Sequence, residues 1–331
     1  MLGILTLLAA CRVEPSDGHP RESRHQVVQD DLVSGDSAAD SAPGPTEAAV
    51  PFAETCDDRV LPIHVPYSST AAIRTWIDFD FDQLGFLDTP WGSDVLGYTR
   101  TGGRHRVATA VGVEVLGVRS LVTGDLVVSV PQTGVLKRVT YDTGATSTIV
   151  GGLIAPRALE VGTDGLVYAS EPIEYGVVRS IDPYTGESDV IAALPFPGGM
   201  ALSPDEQRLY VVTTPRPGGP STVVAIERDE DGDWDPAPQP IFTTPTSIDA
   251  LVTDLCGNLY VAETWRGRVY RVRPDDGGIE PLATLEPGFG LTAMRFGNGI
   301  GDFARDQLFV SNGVQLYVLE VGVDGRHVLG L

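Results

Sequence analysis

A phrase recurs along this chain. Gly162-Thr163-Asp164-Gly165-Leu166-Val167-Tyr168-Ala169 is a polar turn followed by a short apolar strand, and close variants run from Ser203 to Val211 and from Asp254 to Ala262. Looser variants run from Thr123 to Val128, from Arg305 to Val310 and from Phe81 to Phe86. Aligned on Leu84, Leu126, Leu166, Leu209, Leu259 and Leu308, they are spaced by 42, 40, 43, 50 and 49 residues. A unit of this length made only of strands cannot bury both faces of its own sheet, so it has to stack on copies of itself. The expected fold is all-β, a six-bladed β-propeller of four-stranded antiparallel blades. A barrel or a sandwich would also be all strand, but neither accounts for repeats this long.

The blades are expected at 72–112, 113–153, 154–194, 195–243, 244–285 and 286–331. In the first, strands are expected over Ile73–Phe79, Leu84–Leu87, Val95–Arg100 and His105–Ala110. Third strands such as Val177–Ile181 and Arg268–Val272 alternate apolar and polar side chains, as half-buried strands do. Two routes could close the ring. Val60–Val65 could add a strand to the last blade, or Arg326–Leu331 could complete that blade from its own residues.

Ahead of the blades the chain changes character. Leu2 to Ala10 form a short apolar run ending Leu8-Ala9-Ala10-Cys11, similar to a bacterial lipobox in which the cysteine is lipidated and becomes the new N-terminus. No Lys or Arg precedes that run. Residues 12–55 are rich in Ser, Asp, Ala, Gly, Pro and Glu and hold too little apolar surface to offset their ordering entropy. The expected organisation is therefore a leader and lipidation site over 1–11, a disordered tether over 12–55 and the propeller over 56–331. The resulting expectation is an exported lipoprotein held at a bacterial membrane by its lipid, on the periplasmic or cell-surface side. In an oxidising compartment the remaining two cysteines, Cys56 and Cys256, are expected to pair. Formal net charge is −22, which repels a phosphate backbone and argues against a nucleic-acid partner.

Two longer phrases carry a family resemblance. Pro197-Gly198-Gly199-Met200-Ala201-Leu202-Ser203-Pro204-Asp205 with Leu209-Tyr210-Val211, and Ile248-Asp249-Ala250-Leu251-Val252-Thr253-Asp254 with Gly257–Ala262, resemble the SMP-30/gluconolactonase propellers, with a secondary likeness to NHL repeats. The resemblance covers about residues 110–330 and is best over 155–275. It implies a divalent cation, often calcium, held in the central channel by Glu, Asn and Asp side chains, where it would polarise a lactone carbonyl and activate water. Matched position by position, the set is incomplete here. Asp249 retains its carboxylate, Gly198 and Arg157 stand where the family has Asn, and Leu116 stands where it has Glu, with Glu114 two residues away. One carboxylate beside a guanidinium does not satisfy a hard cation. Arg157 and Asp249 are instead expected to compensate one another at the channel mouth, with two separately solvated side chains as the alternative.

Second-strand ends should share that face, which would bring Glu171, Tyr175, Glu263, Trp265 and Arg266 to the mouth and suit a small polar ligand. Asp229, Asp231, Asp233 and Asp235 alternate around Gly232 like a calcium loop, but they lack its twelfth-position Glu and fall where a hairpin should turn. No Gly-x-Ser-x-Gly elbow occurs, and His64, His105 and His327 fall on the entry segment or on expected outer strands. These readings lean toward binding or scaffolding of a ligand or an envelope protein, without catalysis. The opposing expectation is a divalent-metal-dependent lactonase or esterase using Asp249 and Glu114, and a third is a purely structural envelope protein.

Overall fold

The recurring aspartate is a backbone cap. Asp254 Oδ1 accepts from the amides of Cys256 and Asn258, both at 2.9 Å, and Asp82 Oδ1 accepts from Leu84 and Phe86 at 2.9 and 2.7 Å. Each turn then needs one residue with positive φ, supplied by Gly85, Gly124, Gly165 and Gly257 at φ 87, 86, 83 and 81°. The strand that follows enters the core. Strand pairing places Leu87, Leu126, Val167, Leu209, Leu259 and Leu308 at equivalent positions, and all are fully buried. Leu84 and Leu166 are therefore not the equivalent residues. Leu84 belongs to the turn and is 62% exposed, and Leu166 lies one residue short of its strand.

The computed structural model describes Cys56 and residues 65–75, 77–215, 219–286 and 288–326, which all fall within one unit, Val50–Leu331. Their strands form six four-stranded antiparallel sheets. Strand β1 (Tyr67–Thr70) precedes the first blade, which is β2 (Asp80–Phe81), β3 (Leu87–Trp91), β4 (Asp94–Tyr98) and β5 (Arg104–Ala108). The second is β6 (Val118–Ser120), β7 (Leu126–Val130), β8 (Val135–Thr140) and β9 (Ala145–Gly151). The third is β10 (Leu159–Val161), β11 (Val167–Ser170), β12 (Gly176–Ile181) and β13 (Ser188–Leu194). The fourth is β14 (Met200–Leu202), β15 (Arg208–Thr213), β16 (Ser221–Glu227) and β17 (Gln239–Thr244). The fifth is β18 (Ile248–Thr253), β19 (Leu259–Glu263), β20 (Arg268–Arg273) and β21 (Gly278–Thr284). The sixth holds β22 (Ala293–Phe296), β23 (Gln307–Ser311) and β24 (Leu316–Glu320), and β1 is its fourth strand.

Both expected closures are corrected by this pairing. Tyr67–Thr70 lie antiparallel on Leu316–Leu319, so an N-terminal strand does close the last blade, but it begins beyond Val65. Val65 itself donates to Leu282 O of the fifth blade. Residues 60–64 and 327–331 of the two expected closures lie outside the described residues, and the fourth strand of the last blade is β1. In the first blade, Ile73–Phe79 is entry loop, because Ile73 and Phe79 are buried as single anchors beside Phe303 and Phe309. The leader, Cys11, the 12–55 segment, His64 and His327 lie outside the described residues.

Neighbouring blades share their cores. Leu121, Val127 and Leu136 of the second pack with Leu159, Val167 and Ile181 of the third. Each such side chain contributes about 1.5–3 kcal/mol when removed from water, and only the stacked blade removes it. Cys56 and Cys256 are joined by a disulfide across a sequence separation of 200, with Cα atoms 5.5 Å apart.

Candidate functional site

The first strand of each blade lines the axis, so the residues at the middle of β2, β6, β10, β14, β18 and β22 meet around a central channel. Their sequence equivalents are Asp80, Arg119, Glu160, Ala201, Val252 and Arg295. Four of these six are charged, and they form a belt that divides the channel in two. Arg119 Nη1 donates to Asp78 Oδ2 at 2.6 Å. Arg295 Nη2 lies 3.4 Å from Glu160 Oε2, and Arg326 Nη1 donates to Glu160 Oε1 at 3.0 Å. Burial, the largest influence, outweighs Arg326 and Arg119 and pushes the Glu160 carboxyl up to about 7. Asp80 rises to about 6 for the same reason, against the pull of Arg119. A charge in the middle of a short apolar strand, as in Val118-Arg119-Ser120 or Met294-Arg295-Phe296, is the sequence signal for this belt, which the family phrases do not contain.

Above the belt, at the starts of the inner strands, is a cavity of about 40 Å³. Arg157 and Asp249 line it, together with Leu116, Gly198 and Gly199. Arg157 Nη2 and Asp249 Oδ2 are 3.8 Å apart with their side chains 39% and 28% exposed, an ion pair open to solvent. Two entry loops to this mouth are strained. Ala155 and Phe196 hold φ at 52 and 45°, each directly before a proline. Non-glycine residues in that region cost on the order of 1–3 kcal/mol and cluster where loop geometry matters to function. Gly199 is required for close approach, because a Cβ there would lie 2.3 Å from Asp249 O, whereas a Cβ on Gly198 meets nothing closer than 3.5 Å.

The other residues expected at this mouth do not line the cavity. Glu171 is buried, accepting from Ile154 N and Arg179 Nε, both at 2.5 Å, and so ties its strand to the loop entering the same blade. Glu263 does the same in the fifth blade through Thr244 and Thr246 at 2.5 and 2.6 Å. Burial acts to raise the Glu263 carboxyl, but hydrogen bonds from Thr244, Thr246 and Tyr270 outweigh it and hold the group below its ordinary value. Tyr175 and Trp265 are 85% and 64% exposed on the loops of the same face, and Arg266 is exposed beside Trp265. Val113, Ile154 and Phe289 are likewise exposed, on the loops that lead into the first strands of their blades.

The donor set does not fit a catalytic cation. Glu114 is bonded to Gln132 Nε2 at 3.2 Å and does not line the cavity. The second carboxylate there, Asp78, is bonded to Arg119, and Asp249 is paired with Arg157, so each carboxylate has a guanidinium beside it. The Asp229–Asp235 loop is a hairpin: Asp229 Oδ1 accepts from Asp231 N and Asp233 N at 3.0 and 2.9 Å, and Asp235 Oδ1 from Ala237 N at 2.9 Å. Among the described residues no group of three or more His, Cys, Asp or Glu side chains is placed to hold a metal ion.

The architecture is that of the gluconolactonase and regucalcin propellers. A gluconolactonase from Xanthomonas campestris superposes with a TM-score of 0.63 at 21% identity, covering 78% of this chain and 89% of that one. Regucalcin from Agrobacterium tumefaciens, a calcium-binding protein, superposes with a TM-score of 0.62 at 14% identity, over 79% and 96% of the two chains. An auxiliary nutrient-binding protein from Bacteroides thetaiotaomicron superposes with a TM-score of 0.58 at 9% identity, over 77% and 70%. No protein-family model and no curated protein sequence matches the chain. At these identities the likeness establishes the six-bladed fold.

Proposed function

We propose that this chain is an exported, membrane-tethered propeller that binds a small polar ligand or an envelope protein at its channel mouth without catalysing a reaction. The observation that carries the reading is the Arg157–Asp249 pair, which sets one solvent-open charge of each sign at the upper cavity. A mouth of that kind pairs with a ligand's own charges, and the exposed side chains of Tyr175, Trp265 and Phe289 on loops of the same face offer apolar contact. The propeller that resembles a nutrient-binding protein is compatible with such a role.

The second reading is a metal-dependent lactonase, favoured by the likeness to the gluconolactonases. Metal analysis and a lactone-hydrolysis assay on purified protein separate the two. The binding reading expects neither stoichiometric calcium or zinc nor hydrolysis. Stoichiometric metal, lost together with hydrolysis in Asp249→Ala, would establish the enzyme instead. The anchor has its own test: radiolabelled palmitate fed to expressing cells should label the protein and fail to label Cys11→Ser. Equal labelling of both would remove the lipoprotein from the proposal.

A further inference from the structure

The opposite end of the channel holds the larger cavity, about 80 Å³, below the charged belt. That volume has room for several waters or one tetrahedral oxyanion. Three guanidinium groups close around it. Arg119 and Arg295 are 6% and 9% exposed, and the Arg326 side chain is 5% exposed. Each holds a buried N–H that finds no acceptor: Nε of Arg119, Nη2 of Arg295 and Nε of Arg326. Arg119 Nε and Arg295 Nη2 lie 3.8 and 3.4 Å from Glu160 Oε2, close enough for attraction without a well-directed hydrogen bond. Unsatisfied buried donors of this kind are costly, and all three belong to arginines in the wall of one space, where a small shift of their guanidinium groups would give them an acceptor.

We propose that this lower cavity binds a small oxyanion, a sulfate, phosphate or carboxylate group, between Arg119, Arg295 and Arg326. Four arginines line the space, Arg305 being the fourth, against two carboxylates, Asp80 and Glu160. Asp78 faces Arg119 from the upper side, and Glu206 faces Arg326 from the turn after β14. With every group ionised these eight charges cancel, so the anion enters with protons taken up by Asp80 and Glu160. Both carboxyls titrate near neutrality, at about 6 and about 7, which makes uptake strongest at mildly acidic pH. The site lies across the belt from Arg157 and Asp249; Arg119 and Arg295 line both cavities, whereas Arg326 and Glu160 line only the lower one.

Sulfate is the probe, because its charge is constant from pH 5.5 to 8. Equilibrium dialysis of the whole protein against radiolabelled sulfate should find one ion per chain at pH 5.5 and at least tenfold weaker binding at pH 8. Glu160→Gln keeps the shape and removes one of the two negative charges, so it should bind at pH 8 more tightly than the parent does at that pH, with a weaker pH dependence that Asp80 retains. Arg295→Gln should lose binding, while Arg106→Gln, on an exposed outer strand, should not. Absence of stoichiometric binding to the parent at pH 5.5 overturns the proposal, and so does binding indifferent to both Glu160→Gln and Arg295→Gln. The gain expected of Glu160→Gln keeps the test decisive if Arg295→Gln fails to fold.

Discussion

Glu206 occupies the turn position that four other blades give to glycine. It holds φ at 56° where Gly85, Gly124, Gly165 and Gly257 sit, a conformation that costs a side-chain-bearing residue on the order of 1 kcal/mol. Its carboxylate compensates by accepting from Thr163 N at 2.9 Å and pairing with Arg326. A single departure from the repeat thus joins the third and fourth blades to the C-terminal segment. Glu160 shows the cost of concentrating charge in this channel. Its folded pKa is raised above the unfolded value, so the stability tied to its proton is complete at pH 4 and is lost as pH rises through about 7. Glu160→Gln stays neutral throughout. Chemical denaturation should find it close to the parent at pH 5 and more stable at pH 8, by roughly 2–3 kcal/mol. A variant less stable than the parent at pH 8 would show that Glu160 gains more from its arginines than burial takes away.

At the scale of the element, β1 is the strand that matters most. It covers β24, whose backbone would otherwise form an exposed edge, and Tyr67 packs edge-on against Tyr317 with ring centroids 5.9 Å apart. A chain beginning at residue 71 should therefore self-associate, while one beginning at residue 65 should remain monomeric, and light scattering distinguishes them. Equal behaviour would mean that β1 adds little to the closure. This strand was hard to place from sequence, because Tyr-Ser-Ser-Thr has no alternating apolar pattern and three of its four residues are exposed. Second strands were legible for the opposite reason: they are buried on both faces, and Leu126–Val130 and Leu259–Ala262 are apolar almost throughout. Glu171 and Glu263 end such strands, and pattern alone does not say whether an end residue faces the channel or reaches back to its own entry loop.

Over the whole propeller, both ends of the described chain meet the fifth and sixth blades. The disulfide pins Cys56 to the fifth-blade turn at Cys256. From the other end, Leu255 N donates to Asp324 O at 2.9 Å and Arg326 N to Thr253 O at 3.1 Å. Cys256→Ser should lower stability by about 2–4 kcal/mol, read as a denaturation midpoint under non-reducing conditions. An unchanged midpoint would mean that strand β1 and the C-terminal segment hold the ring without the covalent link.

The repeat length, the polar turn and the apolar strand after it were enough to specify six stacked sheets, because each is a local pattern that a lone sheet cannot satisfy. The residues carried over from the family phrases likewise placed Arg157 and Asp249 at one mouth. The buried belt, the pairing of Arg326 with Glu160 and Glu206, and the true closing strand were settled only in three dimensions. Their partners lie far apart in sequence, Arg326 from Glu160 by 166 residues, and a charge inside an apolar strand carries no mark of which distant charge will face it. What neutralises such a group depends on which blades meet across the axis, and no stretch of forty residues contains that information.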